Sequence, residues 1–293
     1  MKPILYFLAL CLLVQHTSFA QTQVAFHEKT IVVRGDISIS YVEKGKPEGI
    51  PVILIHGYSD SWHSFDLALP ELPDYLHAYA ISLRGHGNSS KPADGYSMEN
   101  MAKDIAAFMQ AKQIKSAVIV GHSLGSVVAQ AFAINYPSLT KGLVLIGTFA
   151  RPATHKDIAE LGQLIANFSD PVDRAFVVEF QKSTLYRKVP DSFFETAVEE
   201  SMKLTANVWK QVMTNLSTVY NVRGLQLIDT PTLLVWGDKD AFCKRQEQDL
   251  LVRKMKKASL LVYSGTGHAV HWEEPGRFAG DLAFFINNLP PVK

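Results

Sequence analysis

Gly121-His122-Ser123-Leu124-Gly125 is the stretch of this chain whose residue types and spacing are best suited to chemistry. The β-branched run Val118-Ile119-Val120 stops at Gly121 and a small-residue helical pattern begins after Gly125, so the pentapeptide stands where a buried strand must turn sharply into a helix. Glycines on either side lack Cβ and let strand and helix approach closely. The serine between them is then held in an unfavourable backbone conformation with its hydroxyl pointing out of the sheet. Ser123 is therefore a candidate nucleophile, and the amide of Leu124, at a helix N-terminus, a candidate oxyanion donor. The stretch is not a nucleotide-binding loop, because no third glycine is correctly placed and no Gly-Lys-Ser/Thr follows.

A serine hydroxyl is a poor nucleophile until an imidazole takes its proton, and the imidazole needs a carboxylate to fix its tautomer and stabilise its cation. Two later loops offer both. Thr232 to Trp236 reads as a strand ending in Gly237-Asp238-Lys239-Asp240, and Leu260 to Tyr263 as a strand followed by Ser264-Gly265-Thr266-Gly267-His268. The chain order Ser123, Asp240, His268 is the one expected for a sheet of this kind. Asp240 is preferred to Asp238, which stands closer to the strand end and suits a turn-stabilising role. His268, in a glycine-flanked loop, is preferred to His271. His56, His63, His86 and His122 read as structural. The apolar run Pro51 to Ile55 ends at His56-Gly57-Tyr58, where the Tyr58 amide is the second candidate oxyanion donor. No His-Glu-x-x-His or paired-cysteine spacing occurs, and His268 with His271 offers too few ligands, so neither a metal nor a cofactor is expected.

The elements that must hold these loops alternate between strand and helix. Thr30 to Val33 and Ile37 to Tyr41 read as a hairpin turned at Gly35-Asp36, and Ala78 to Leu83 and Leu143 to Ile146 as further strands. Met101, Ile105, Phe108 and Met109 fall on one helical face with Ser97 as its cap, and the helix after Ser123 stops at Asn135-Tyr136-Pro137. Arg84-Gly85-His86-Gly87-Asn88-Ser89 reads as a structural loop. Helices near Arg245 to Met255 and Arg277 to Asn287 complete an α/β, mainly parallel, doubly wound sheet whose site lies beyond the carboxyl ends of its strands. Between Arg151 and Val222 the strands cease, and four amphipathic helices, Ile158 to Phe168, Val172 to Phe180, Phe193 to Met202 and Val208 to Val222, suggest a cap. The expected organisation is a core of residues 21–150 and 223–293 with a helical insertion at 151–222.

The chain has 293 residues and a formal charge of +1 with no long block of one sign, which leaves no electrostatic footprint for nucleic acid and points to a small-molecule substrate. Residues 1–20 stand apart: Lys2 precedes an apolar run from Ile4 to Val14, then Gln15-His16-Thr17 and Ser18-Phe19-Ala20. That pattern reads as a secretory signal cleaved near Ala20, which would export the protein to the periplasm or beyond. The run is too short for a membrane span of about 20 residues, and Leu10 is the wrong size to precede a lipidated Cys11. Cleavage would leave Cys243 without a disulfide partner in the chain. Asn88, Asn167 and Asn215 each begin an Asn-x-Ser sequence, which matters only in a glycosylating host.

His56-Gly57, Arg84-Gly85-His86-Gly87-Asn88-Ser89, Gly121-His122-Ser123-Leu124-Gly125, Gly237-Asp238-Lys239-Asp240 and Gly267-His268, in this order, resemble the α/β-hydrolase superfamily over Ile31 to Leu289. The resemblance implies an eight-stranded, mostly parallel sheet with a helical lid and a serine-dependent hydrolase. Ser82 is a departure, since relatives often carry Asp there, and it touches loop support rather than the triad. Epoxide hydrolases and haloalkane dehalogenases of the superfamily use an aspartate where this chain has Ser123, which argues against both chemistries. Hydrolysis of a carboxylic ester or lactone is the expected activity. Carbon–carbon bond hydrolysis, cofactor-free peroxidation, proline iminopeptidase activity and receptor-like binding of a small ligand are the alternatives. Glu199-Glu200 would have to hold the amine in the iminopeptidase, but reads as a solvated helix face.

Overall fold

The computed structural model describes residues 26–290; the signal expected at residues 1–20 lies outside them. The chain runs β1 (Lys29–Arg34), β2 (Ile37–Lys44), β3 (Ile50–Ile55), β4 (Leu76–Ile81), α1 (Met98–Ala111), β5 (Ala117–His122), α2 (Leu124–Asn135) and β6 (Thr140–Ile146). Four helices follow before the next strand: α3 (Lys156–Ile165), α4 (Arg174–Ser183), α5 (Asp191–Met202) and α6 (Ala206–Ser217). The chain closes with β7 (Thr232–Gly237), α7 (Arg245–Lys254), β8 (Ala258–Tyr263), α8 (Val270–Glu273) and α9 (Pro275–Asn287). One eight-stranded sheet has the order β1-β2-β4-β3-β5-β6-β7-β8. The pairs β1–β2 and β2–β4 are antiparallel and all the others parallel.

The central strands are apolar throughout because both faces are covered, and the two-residue period of a strand sorts their side chains between two cores. Ile53, Ile55, Ile119, Leu143, Leu145 and Leu234 face α1 and α2 and pack with Ile105, Phe108, Val128 and Phe132. Val52, Leu54, Val118, Val120, Val144 and Val235 face the other way and pack with Phe278, Leu282 and Ile286 of α9. Ser97 caps α1 by accepting from the Asn100 N–H at 3.2 Å.

Several boundaries differ from the apolar pattern, two of them instructively. β4 begins at Leu76, ahead of the expected Ala78, because His77 is carried into the strand by a 3.1 Å hydrogen bond with Glu43. α6 ends at Ser217 rather than at Val222: the hydroxyls of Ser217 and Thr218 bond back to the carbonyls of Thr214 and Asn215 as the helix stops. The four-helix insertion leaves and rejoins the sheet at one place, since the Ala153 N–H donates to the Val219 carbonyl at 3.0 Å. Among the described residues no helix is long and apolar enough to cross a membrane.

The loop after β4 is fixed by one buried ion pair. Arg84 donates through Nε and Nη2 to the two carboxylate oxygens of Asp104, at 2.5 and 2.8 Å, and through Nη1 to the Gly95 carbonyl at 3.1 Å. Both side chains are buried, so loss of the carboxylate would strand a guanidinium out of water. Asp104→Leu is expected to cost about 3–5 kcal/mol, read as a lower midpoint of urea unfolding. A change below about 1 kcal/mol, the range of surface pairs, would show that the pair does not hold the loop.

Candidate active site

Ser123 lies between β5 and α2 with φ 51° and ψ −117°, in a region that costs a non-glycine residue about 1–3 kcal/mol. Its surroundings leave no alternative. A Cβ on Gly121 would lie 2.3 Å from the Gly125 carbonyl oxygen, and one on Gly125 would lie 2.3 Å from the carbonyl oxygen of His56 at the end of β3. Main chain meets main chain at both places, so only glycine fits. The Ser123 N–H is tied to the Ile146 carbonyl of β6 at 2.9 Å.

Asp240 and His268 are brought together by the ends of β7 and β8. The Asp240 Oδ1 accepts the N–H groups of Phe242 and Cys243 at 2.8 and 2.9 Å, which leaves Oδ2 for the Nδ1–H of His268 at 2.8 Å. Both side chains are buried. With the proton on Nδ1, the Nε2 lone pair of His268 is available as a base. The His268 main chain is held by its N–H donating to the Thr184 carbonyl at 2.9 Å. Asp238 does not reach His268: it accepts from the Gly265 N–H at 2.7 Å and the Ser264 hydroxyl at 3.1 Å, and so closes the turn between the two loops.

One cavity, of about 40 Å3, joins Ser123 and His268. Its apolar walls are Phe149, Leu161, Phe180 and Phe242, and its polar ones include Asp60, His122 and Gln181. Tyr58 also lines it, with its hydroxyl donating to the Trp209 carbonyl of α6 at 2.7 Å and its ring edge-on to Trp209. The amides of Tyr58 and Leu124 donate to no other group among the described residues. For Leu124 that follows from its place as the first residue of a helix.

Four buried histidines around the site are kept neutral. Burial pushes His271 down to about 3, with help from the nearby His268, and its Nε2 meets the Ser64 hydroxyl at 3.1 Å. Burial also lowers His56, whose Nε2 accepts the Leu83 N–H at 2.9 Å, and His122, neither of whose ring nitrogens has a hydrogen-bond partner among the described residues. His86 is lowered to about 4 by burial. A metal would find only Asp240, Cys243 and His268 close enough among the described residues, all within 4.8 Å of one another. There the Cys243 thiol donates to the Gly147 carbonyl at 3.1 Å and is pushed up by burial, so it is a poor thiolate donor.

Several cavity residues were not singled out by sequence reasoning, Asp60 and Gln181 among them. Gln181 carries no sequence signal of its own, whereas Asp60, four residues after His56 in the turn that ends β3, could have been noticed as an acid beside a candidate oxyanion donor. Glu200 corrects another expectation. It is not solvated but buried, paired with Lys203 at 2.6 Å and 3.8 Å from His63, while Glu199 is exposed and reaches Arg174.

A strained serine and a histidine bonded to a buried acid share one cavity beyond the carboxyl ends of a parallel sheet, an arrangement in keeping with the hydrolases of the doubly wound class. Residues 50–275 match the family model described as alpha/beta hydrolase fold, and the chain belongs to that family. It is 26% identical over 269 residues to Lipase 3 of Moraxella sp. strain TA144, covering 89% of this chain and 85% of that protein. To the pimeloyl-[acyl-carrier protein] methyl ester esterase of Neisseria meningitidis it is 27% identical over 254 residues, covering 84% of this chain and 80% of the relative. An esterase from Exiguobacterium antarcticum superposes with a TM-score of 0.81 at 21% identity, over 89% of this chain and 100% of its own.

Asp60 gives the site a pH signature. Burial pushes its carboxyl from 3.8 up to about 6, against the opposing effect of hydrogen bonds from Gln181, Gly57 and Ser64. The native state therefore holds this proton more tightly than the unfolded chain, and its contribution is intact below pH 3.8 and lost as pH rises through about 6. The loss is on the order of 2–3 kcal/mol. Asp60→Asn, which cannot ionise, is expected to be more stable than the parent at pH 8 and to lose that advantage at pH 4. Parallel melting temperatures at the two pH values would refute the shift.

Proposed function

We propose that the protein is a serine carboxylic-ester hydrolase acting through an acyl-enzyme on a small to medium apolar ester or lactone. The observation that carries this reading is the 2.8 Å hydrogen bond from His268 Nδ1 to Asp240 Oδ2 in a cavity that His268 shares with Ser123. In the first step the Ser123 Oγ attacks the carbonyl carbon as His268 Nε2 takes the hydroxyl proton, and the Tyr58 and Leu124 N–H groups receive the charge that develops on oxygen. Collapse of the tetrahedral intermediate expels the alcohol with the proton returned from His268. Water, deprotonated by the same imidazole, then releases the acid and restores Ser123. Asp240 stays ionised throughout and stabilises the imidazolium.

The apolar walls at Phe149, Leu161, Phe180 and Phe242 suit an apolar acyl or alcohol group. In this reading the insertion at 151–222 serves as a cap, with Leu161, Phe180, Gln181 and Thr184 as its share of the pocket. Similarity to Lipase 3 and to a methyl ester esterase supports ester chemistry, and Ser123, where epoxide hydrolases and haloalkane dehalogenases use an aspartate, argues against those two. Export of the chain, from the pattern of residues 1–20, belongs to the same proposal. The purified protein is expected to react with a fluorophosphonate at Ser123 alone, by intact mass and peptide mapping. Ser123→Ala should lose labelling and at least about a thousandfold in ester turnover, at an unchanged melting temperature. Turnover that survives this substitution would end the proposal.

A further inference from the structure

The turn that carries the Tyr58 amide is an unusual support for an oxyanion donor. It is closed by the Asp60 N–H donating to the Gly57 carbonyl at 3.3 Å, and it places Ser59 at φ 65°, in the left-handed region that favours glycine. From the core, the His56 ring at the end of β3 bonds the Gly57 carbonyl at 2.7 Å and the Ser64 hydroxyl reaches Asp60 Oδ2 at 3.4 Å. The insertion supplies the other contacts, through a different helix for each. The Tyr58 hydroxyl donates to the Trp209 carbonyl of α6 at 2.7 Å, and the Ser59 hydroxyl lies 3.2 Å from that of Ser201 in α5. Gln181 of α4 gathers the rest: its Nε2 donates to Asp60 Oδ1 at 2.9 Å and Ser201 Oγ at 2.8 Å, and reaches Ser59 Oγ at 3.4 Å. Gln181, Ser59, Asp60 and Ser201 are all buried, so no water competes for these bonds and an unmade one is costly.

The cavity between this turn and the serine lies where the insertion meets the sheet, with Leu161, Phe180, Gln181 and Thr184 on one side and Tyr58, Ser123 and His268 on the other. The bonds of Gln181 to the turn cross that boundary. We infer that Gln181 is a positioning residue for the reaction: its amide holds the Gly57–Asp60 turn in the shape that aims the Tyr58 N–H at the oxyanion. The oxyanion hole is thereby completed by a residue of the insertion. This inference rests on the ester-hydrolase reading of the same site.

The titratable groups facing the turn and its network are Asp60 itself, His56, whose Nδ1 is 2.7 Å from the Gly57 carbonyl and which burial keeps neutral, His122, whose Nδ1 is 3.9 Å from Asp60 Oδ2, and His268 across the cavity. Glu200, next to Ser201, is engaged with Lys203. Burial keeps His122 neutral, so Asp60 and any acid placed at position 181 would titrate chiefly against each other.

The test compares the parent protein with Gln181→Met and Gln181→Glu on 4-nitrophenyl butyrate, following kcat, KM, the fluorophosphonate labelling rate and melting temperature. Gln181→Met keeps the length of the side chain and removes the donor. It is expected to lower kcat and labelling by about 10- to 100-fold, short of the 100- to 1,000-fold loss of an entire oxyanion donor, with KM within about threefold because the cavity wall remains apolar enough to bind. Gln181→Glu can share a proton with Asp60 in acid and repel it in alkali. It should approach the parent near pH 5.5 and fall progressively by pH 8, where the parent does not. A purely packing role would lower the melting temperature or raise KM and leave kcat and the pH profile unmoved. A Gln181→Met kcat within twofold of the parent, or a Gln181→Glu profile parallel to the parent's, would overturn the inference while the labelled parent leaves the hydrolase reading standing. If Gln181→Met does not fold, the Gln181→Glu profile alone decides. A parent that is neither labelled nor active on esters would remove both.

Discussion

The first turn of α2 lies directly on the main chain at the end of β3, with no side chain between them. Gly125 makes that approach possible, since a methyl group there would fall within 2.3 Å of the His56 carbonyl oxygen. From this contact the rest of the site follows. The strand must reverse into the helix within one residue, and that residue, Ser123, takes the strained conformation that lifts its hydroxyl clear of the sheet. The same contact sets the free amide of Leu124 beside the chain that continues from His56 into the Tyr58 turn. The strain is sustained because both sides of it are anchored, by the Ile146 carbonyl on one strand and by the packed apolar face of α2 on the other.

Burial sorts the histidines around this contact by chemistry. His56, His86, His122 and His271 are all far from water, and the cost of a buried charge keeps them neutral. They act as polar wedges: His56 ties the ends of β3 and β4 together through the Leu83 N–H, and His271 engages the Ser64 hydroxyl below the site. His268 differs in having a carboxylate against Nδ1, and the carboxylate is itself held by two main-chain amides. A cation formed there meets a fixed counter-charge that does not have to reorganise.

The strands and the nucleophile turn were legible in the sequence because their signals are local. A β-branched run, two glycines four residues apart and a helical pattern mark the turn at Ser123, and loops that follow strand ends bring forward Asp240 and His268. What was hidden depends on contacts between distant segments. Glu200 looks like part of a solvated helix face until Lys203 and His63 close over it, and His77 breaks an apolar run that the Glu43 hydrogen bond restores as a strand. Gln181 lies more than a hundred residues from Asp60 and is one glutamine among ordinary helical residues; only the packed structure shows its amide within reach of three acceptors. Site residues that act through others leave this kind of faint trace.

The entry and exit of the four-helix insertion meet at a single hydrogen bond between Ala153 and Val219. A loop whose ends already touch costs the sheet little more as it grows, because closure entropy rises only with the logarithm of length. Change within that segment can therefore accumulate without disturbing the pairing of β6 with β7. The fold joins its parts across that seam: the sheet carries Ser123, Asp240 and His268, and the excursion between two neighbouring strands reaches back to His268 and the Tyr58 turn through Thr184, Gln181 and Trp209.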